Sequence, residues 1–107
     1  MLAKVMVMEP VPGALAELSA AQTVWDRECR DTPGYRGQLV GTTTDGRLIV
    51  IAGWQTRQDY EAWMQPEHDR IAALARSDLL YTSLQVELVD SIEGKSMQSL
   101  LDRLAAP

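Results

Sequence analysis

Residues 53–71, GWQTRQDYEAWMQPEHDRI, hold the chain's single histidine, His68, five residues after Trp63 and fourteen after Trp54. An imidazole is the side chain best suited to exchanging a proton near neutral pH, and an indole offers a flat apolar wall with one polar N–H. Pro66 can open a helix, which places His68 in its first turn, where the positive helix end favours a neutral, proton-accepting ring. Such a ring could act as a general base towards an acidic hydroxyl held within hydrogen-bond reach. Trp63, Tyr60 and Met64 share one side of the preceding helix and would wall a pocket around the reacting group. The same residues also suit a plain packing role: Trp54 as a core indole, the Tyr60–Trp63–Met64 stripe as a core seam, and His68 as a surface ring bonded to water or to Glu67 or Asp69.

Other chemistries find less support. Glu67, His68 and Asp69 are consecutive and cannot all face one ion from a helix, so no metal is expected. Cys29 falls on the apolar stripe of a helix and reads as a small core filler. No serine or cysteine stands in a nucleophile motif, and no glycine-rich loop suited to phosphate or flavin is visible, so hydrolase and nucleotide readings fail and no cofactor is expected.

The surrounding composition narrows the class. A chain of 107 residues has room for one core, and 46% hydrophobic with 23% charged residues is ordinary for a globular protein. A net charge of −5 opposes binding to nucleic acid or to an anionic membrane surface. The apolar run near Lys4 is cut short by Glu9 and Pro10, too soon for a signal or membrane segment, and the lone cysteine fits a cytoplasmic location.

Four strands and two helical regions must position these residues. Residues 2–8, LAKVMVM, are apolar at nearly every position, as in a central strand covered on both faces. Residues 14–31 place Leu15, Leu18, Gln22, Trp25 and Cys29 on one helical stripe, which the proline of TPG at 32–34 terminates. Two β-rich runs follow, joined by Asp45-Gly46, a dipeptide suited to a two-residue turn. With Thr44 opposite Arg47, Leu39, Leu48, Val50, Ala52 and Trp54 share one face, and Val40, Ile49 and Ile51 the other. Both faces are then apolar, and the second predicts cover by another copy of the chain, hence a homodimer. TRQD at 56–59 has the form of a capping box with Thr56 as N-cap. Residues 79–89 alternate as the last strand, with Leu80, Thr82, Leu84, Val86 and Leu88 on one side and Tyr81, Ser83, Gln85 and Glu87 on the other. The order β-α-β-β-α-β predicts an α+β, ferredoxin-like fold with an antiparallel sheet over residues 1–92. Residues 93–107 form a C-terminal extension, in which Met97, Leu100, Leu101 and Leu104 mark a helix over 96–105.

The apolar first strand, the helix ending in TPGY, the hairpin, the strand ending in Trp54 and the helix carrying YEAWMQPEH together resemble the antibiotic biosynthesis monooxygenase family over about residues 2–90. The resemblance implies a dimeric α+β barrel that oxidises an aromatic, polyketide-like phenol with O2 and no cofactor. On this reading His68 and Trp54 are catalytic, while Trp63, Tyr60, Met64 and Val50 contact the substrate. Val50 stands where the quinone-forming members carry asparagine, four residues before the strand-end tryptophan. Haem-degrading relatives place an axial histidine eleven residues after a helical tryptophan, and Leu74 occupies that position after Trp63. The alternative is a non-catalytic dimer of the same fold that binds a small hydrophobic molecule.

Overall fold

The computed structural model describes residues 1–90, so the expected C-terminal extension and its helix lie outside the described residues. The chain runs β1 (Leu2–Pro10), α1 (Leu15–Cys29), β2 (Tyr35–Thr42), β3 (Leu48–Trp54), α2 (Arg57–Met64), α3 (Pro66–Ala75), a short 3-10 turn (Ser77–Leu79) and β4 (Tyr81–Val89). All three strand pairings are antiparallel, in the order β2-β3-β1-β4. β1 is therefore central, as its unbroken apolar run requires. Among the described residues no helix is long and apolar enough to cross a membrane.

The helices cover the sheet face made by Leu2, Lys4, Met6 and Met8 of β1 together with Leu48, Val50, Ala52 and Trp54 of β3. Two core clusters form there. One holds Leu2, Cys29, Trp54, Tyr60, Trp63 and Ile71; the other holds Met8, Leu18, Leu48 and Val50. α1 contributes the faces of Leu18, Gln22 and Cys29, as its spacing requires. Thr56 caps α2, its hydroxyl accepting from the Asp59 N–H at 3.1 Å. Pro66 sits at the first turn of α3, where its missing N–H costs nothing.

Two expected registers are corrected, and with them the facings of Leu39, Val40 and Tyr81. The hairpin loop has three residues, with the Thr43 N–H donating to the Arg47 carbonyl and the Gly46 N–H to that of Thr43. Gly46 takes φ +87°, the left-handed residue that follows a type I turn in such loops, and the Asp45 carboxylate accepts from Thr43 and Arg47 side chains. Val40 consequently pairs with Val50, and Leu39 with Ile51, one step from the two-residue register. Because side chains alternate, that step moves Leu39 to the outer face and Val40 to the face of Val50. The second correction is Tyr81. A register shift after Glu9 pairs Pro10 with Tyr81, so Tyr81 comes round to the helix-covered face with Leu84 and Val86.

Gly34 joins α1 to the site. Its φ of +84° ends the TPG turn, its carbonyl accepts from the Gln55 N–H at 2.7 Å, and a Cβ there would lie 2.4 Å from the Asp59 carboxyl. Gly34→Ala is expected to destabilise the fold by more than about 1 kcal/mol, read as a lower melting temperature. An unchanged melting curve would contradict this placement.

Candidate active site

Between the sheet and the helices α1 and α3 lies a cavity of about 170 Å³. Its floor is Lys4, Met6 and Met8 of β1 with Leu84 and Val86 of β4; its roof includes Gln22, Trp25 and Cys29 of α1 and His68 and Ala72 of α3. Leu84 and Val86 remain 41% and 49% exposed, so the cavity opens along β4.

The structure brings Trp54, Trp63 and His68 together on this cavity wall. Trp54 and Trp63 rings are 5.0 Å apart between centroids, and His68 stands edge-on to Trp63 at 5.3 Å. His68 is less than a third exposed, and its Nδ1 lies 3.2 Å from Asp69 Oδ1. With Nδ1–H donating to that carboxylate, Nε2 carries the lone pair. Tyr60 and Met64 pack behind the indoles in the first core cluster and are not on the wall. Val50 is fully buried in the second cluster, also away from the wall.

Several wall residues had not been singled out as site residues. Trp25, on the α1 stripe, lies tilted against His68 at 5.3 Å between centroids and donates its indole N–H to Ser77 Oγ at 3.3 Å, so all three tryptophans border one volume. Tyr35 reaches the wall beside Trp54, 5.3 Å away, and donates its hydroxyl to Asp26 Oδ1 at 2.6 Å. Burial, and then that hydrogen bond, push its phenol far above the usual tyrosine range, so it stays protonated. Gln38 donates its amide N–H to the Gln22 backbone carbonyl at 2.8 Å, and the Gln22 side chain donates to the Leu18 carbonyl at 3.1 Å.

Lys4 is the least expected member. Its side chain lies on the floor at 7% exposure, with Nζ 5.3 Å from the Tyr60 ring centre, 5.4 Å from that of Trp63 and 3.9 Å from Met64 Sδ. Burial lowers the pKa of its ammonium, against a weaker opposing pull from Cys29. The sequence signal was present: Lys4 shares the i, i+2, i+4 row with Met6 and Met8, the row that faces the helices.

Burial pushes the Cys29 thiol up to about 11; the nearby Trp63 indole opposes the shift without reaching hydrogen-bond geometry. Alkylation of native Cys29 by iodoacetamide at neutral pH is expected to be about 100-fold slower than in the unfolded chain, by mass spectrometry. Equal rates would show the thiol to be accessible and ordinary. Among the described residues, no three His, Cys, Asp or Glu side chains are grouped to hold a metal ion.

Comparison with known proteins fits this architecture. Residues 2–89 match the family described as "Domain of unknown function (DUF4937)". No curated protein sequence matches. Among solved structures, SnoaB, a cofactor-independent oxygenase from Streptomyces nogalater, is 16% identical, with a TM-score of 0.72 over 86% of this chain and 93% of its own. The heme-degrader MhuD from Mycobacterium tuberculosis, solved with two hemes in its active site, is 18% identical, with a TM-score of 0.74 over 90% and 100% of the two chains. A structure described as an antibiotic biosynthesis monooxygenase is 18% identical, with a TM-score of 0.67 over 87% and 100%. The fold is that of the antibiotic biosynthesis monooxygenases, a ferredoxin-like α+β layout.

Proposed function

This chain belongs to the DUF4937 family, and from that premise we propose that it is a cofactor-independent monooxygenase that oxidises an electron-rich aromatic phenol to a quinone. The observation that carries the reading is the meeting of His68 with Trp54 and Trp63 on one apolar cavity wall. A ring enters the cavity beside the indoles, and His68 Nε2 takes the phenolic proton. The phenolate then reduces O2. One oxygen atom joins the ring and the other leaves as water with the two hydrogens lost by the phenol. The substrate supplies all four electrons, so the balance needs no external reductant.

The cavity volume of about 170 Å³ is close to that of an engineered apolar cavity of about 150 Å³ that accepts benzene. One ring fits inside, and the rest of a fused substrate would emerge along β4. A tetrapyrrole fits less well: Leu74, at the position of the haem-degraders' axial histidine, is exposed and off the wall. Incubation with a panel of phenols under labelled O2, followed by mass spectrometry, tests the assignment. A product carrying one labelled oxygen supports it, whereas binding without turnover of any phenol favours the non-catalytic alternative.

The same reading includes a cytoplasmic homodimer. On the outer sheet face Leu39, 58% exposed, lies opposite Ile51, which lies opposite Val5, with Ile49 and Val7 in the next row. A second copy laid on these rows would cover them. Sedimentation is expected to give a dimer at micromolar concentration, and Leu39→Lys to weaken it by at least about tenfold by placing an ammonium in the apolar contact. A stable native monomer would refute the assembly.

A further inference from the structure

Lys4 has no charged company that would account for its burial. Its ammonium meets the faces of Tyr60 and Trp63 and the Met64 thioether, and no carboxylate among the described residues is within ion-pairing distance. The nearby acids are engaged elsewhere: Asp78, on the cavity wall, pairs with Arg76 at 3.8 Å, Asp26 accepts from Tyr35, and Glu28 holds Arg70 at 3.0 Å.

Lys4, on the cavity lining, thus holds a buried ammonium that no carboxylate among the described residues meets. A buried ammonium is costly unless a negative group meets it, and a charge-assisted hydrogen bond is stronger than a neutral one. A neutral arene would fill the space and leave the ammonium without a counter-charge. A cationic ligand would face the ammonium directly. We propose that Lys4 is a receptor for one ionised oxygen on an aromatic ligand, so that the cavity selects phenolates or arene carboxylates over neutral arenes. The proposal rests on the cavity being the ligand site, as in the functional reading, and is independent of whether oxygen is consumed. It gives Lys4 a task distinct from that of His68: His68 removes the proton, and Lys4 holds the oxygen that has lost it.

Calorimetric titration without turnover tests this, at a pH where 4-nitrophenol is ionised. The probes are 4-nitrophenolate against nitrobenzene, and benzoate against benzamide. The native protein is expected to prefer at least one anion over its neutral counterpart by about tenfold or more, the worth of one charge-assisted hydrogen bond. Preference within the first pair identifies a phenolate receptor, and preference within the second a carboxylate receptor. Lys4→Met, which keeps the length of the apolar stem, is expected to erase the preference while nitrobenzene affinity stays within about twofold. Lys4→Arg retains the charge and is expected to keep part of it, and Lys4→Gln takes the place of Lys4→Met should the latter not fold. Equal affinity for charged and neutral members, no anion binding at millimolar probe, or full preference surviving in Lys4→Met overturns the proposal. A protein that passes this test yet oxidises no phenol loses the monooxygenase reading alone.

Discussion

His68→Gln is expected to lower the rate of phenol oxidation by about 10²-fold or more, the usual contribution of a positioned base. The loss should fall on kcat, with KM nearly unchanged, because glutamine keeps a polar group of similar reach on the wall and removes only proton transfer. Folding should be unaffected: His68 belongs to neither core cluster, and its bond to the exposed Asp69 carboxylate contributes little to stability. Stopped-flow kinetics beside a melting curve separates these effects. Unchanged kcat with an intact fold would remove His68 from the mechanism and leave the phenol to ionise without protein help.

Trp54→Ala is expected to have the largest effect on stability. The indole is 1% exposed, joins Tyr35, Tyr60 and Trp63 through ring contacts at 5.3, 5.9 and 5.0 Å, and closes the cavity floor where β3 ends. Its removal should cost about 3–5 kcal/mol, the usual range for an aromatic deleted from a core. For a domain of this size that lowers the melting temperature by more than about 10 °C. Trp54→Phe, which restores much of the volume, should recover most of the loss. Differential scanning calorimetry of the pair checks the first claim. A loss below about 1 kcal/mol for alanine would mean that the ring is not the keystone described.

The pattern that made the fold legible was local. β1 announced itself as central by apolar residues on both sides, Thr56 and Asp59 marked the start of α2, and Pro66 marked the break into α3. Facings depended on single-residue shifts that local pattern does not fix. Asp45-Gly46 serves both two- and three-residue loops, and the choice between them decides whether Leu39 points to the core or outward. The bulge that turns Tyr81 inward arises where β4 meets Pro10, a contact between residues about seventy positions apart. For the site, helical spacing gathered the His68 neighbourhood on one segment. Lys4, Gln38 and Tyr35 belong to other strands, and only sheet order brings them to the same wall. A lysine in an apolar strand reads as a solvated end; its burial follows from β1 lying between β3 and β4 under the helices.

The most direct test of the central claim is oxygen uptake by chelator-treated, flavin-free protein supplied with electron-rich phenols, measured with an oxygen electrode while phenol loss is followed in parallel. The account predicts one O2 consumed per phenol converted to quinone, at a rate that the chelator leaves unchanged and His68→Gln lowers by about 10²-fold. No phenol-dependent oxygen uptake across the panel, or uptake abolished by the chelator, would contradict it.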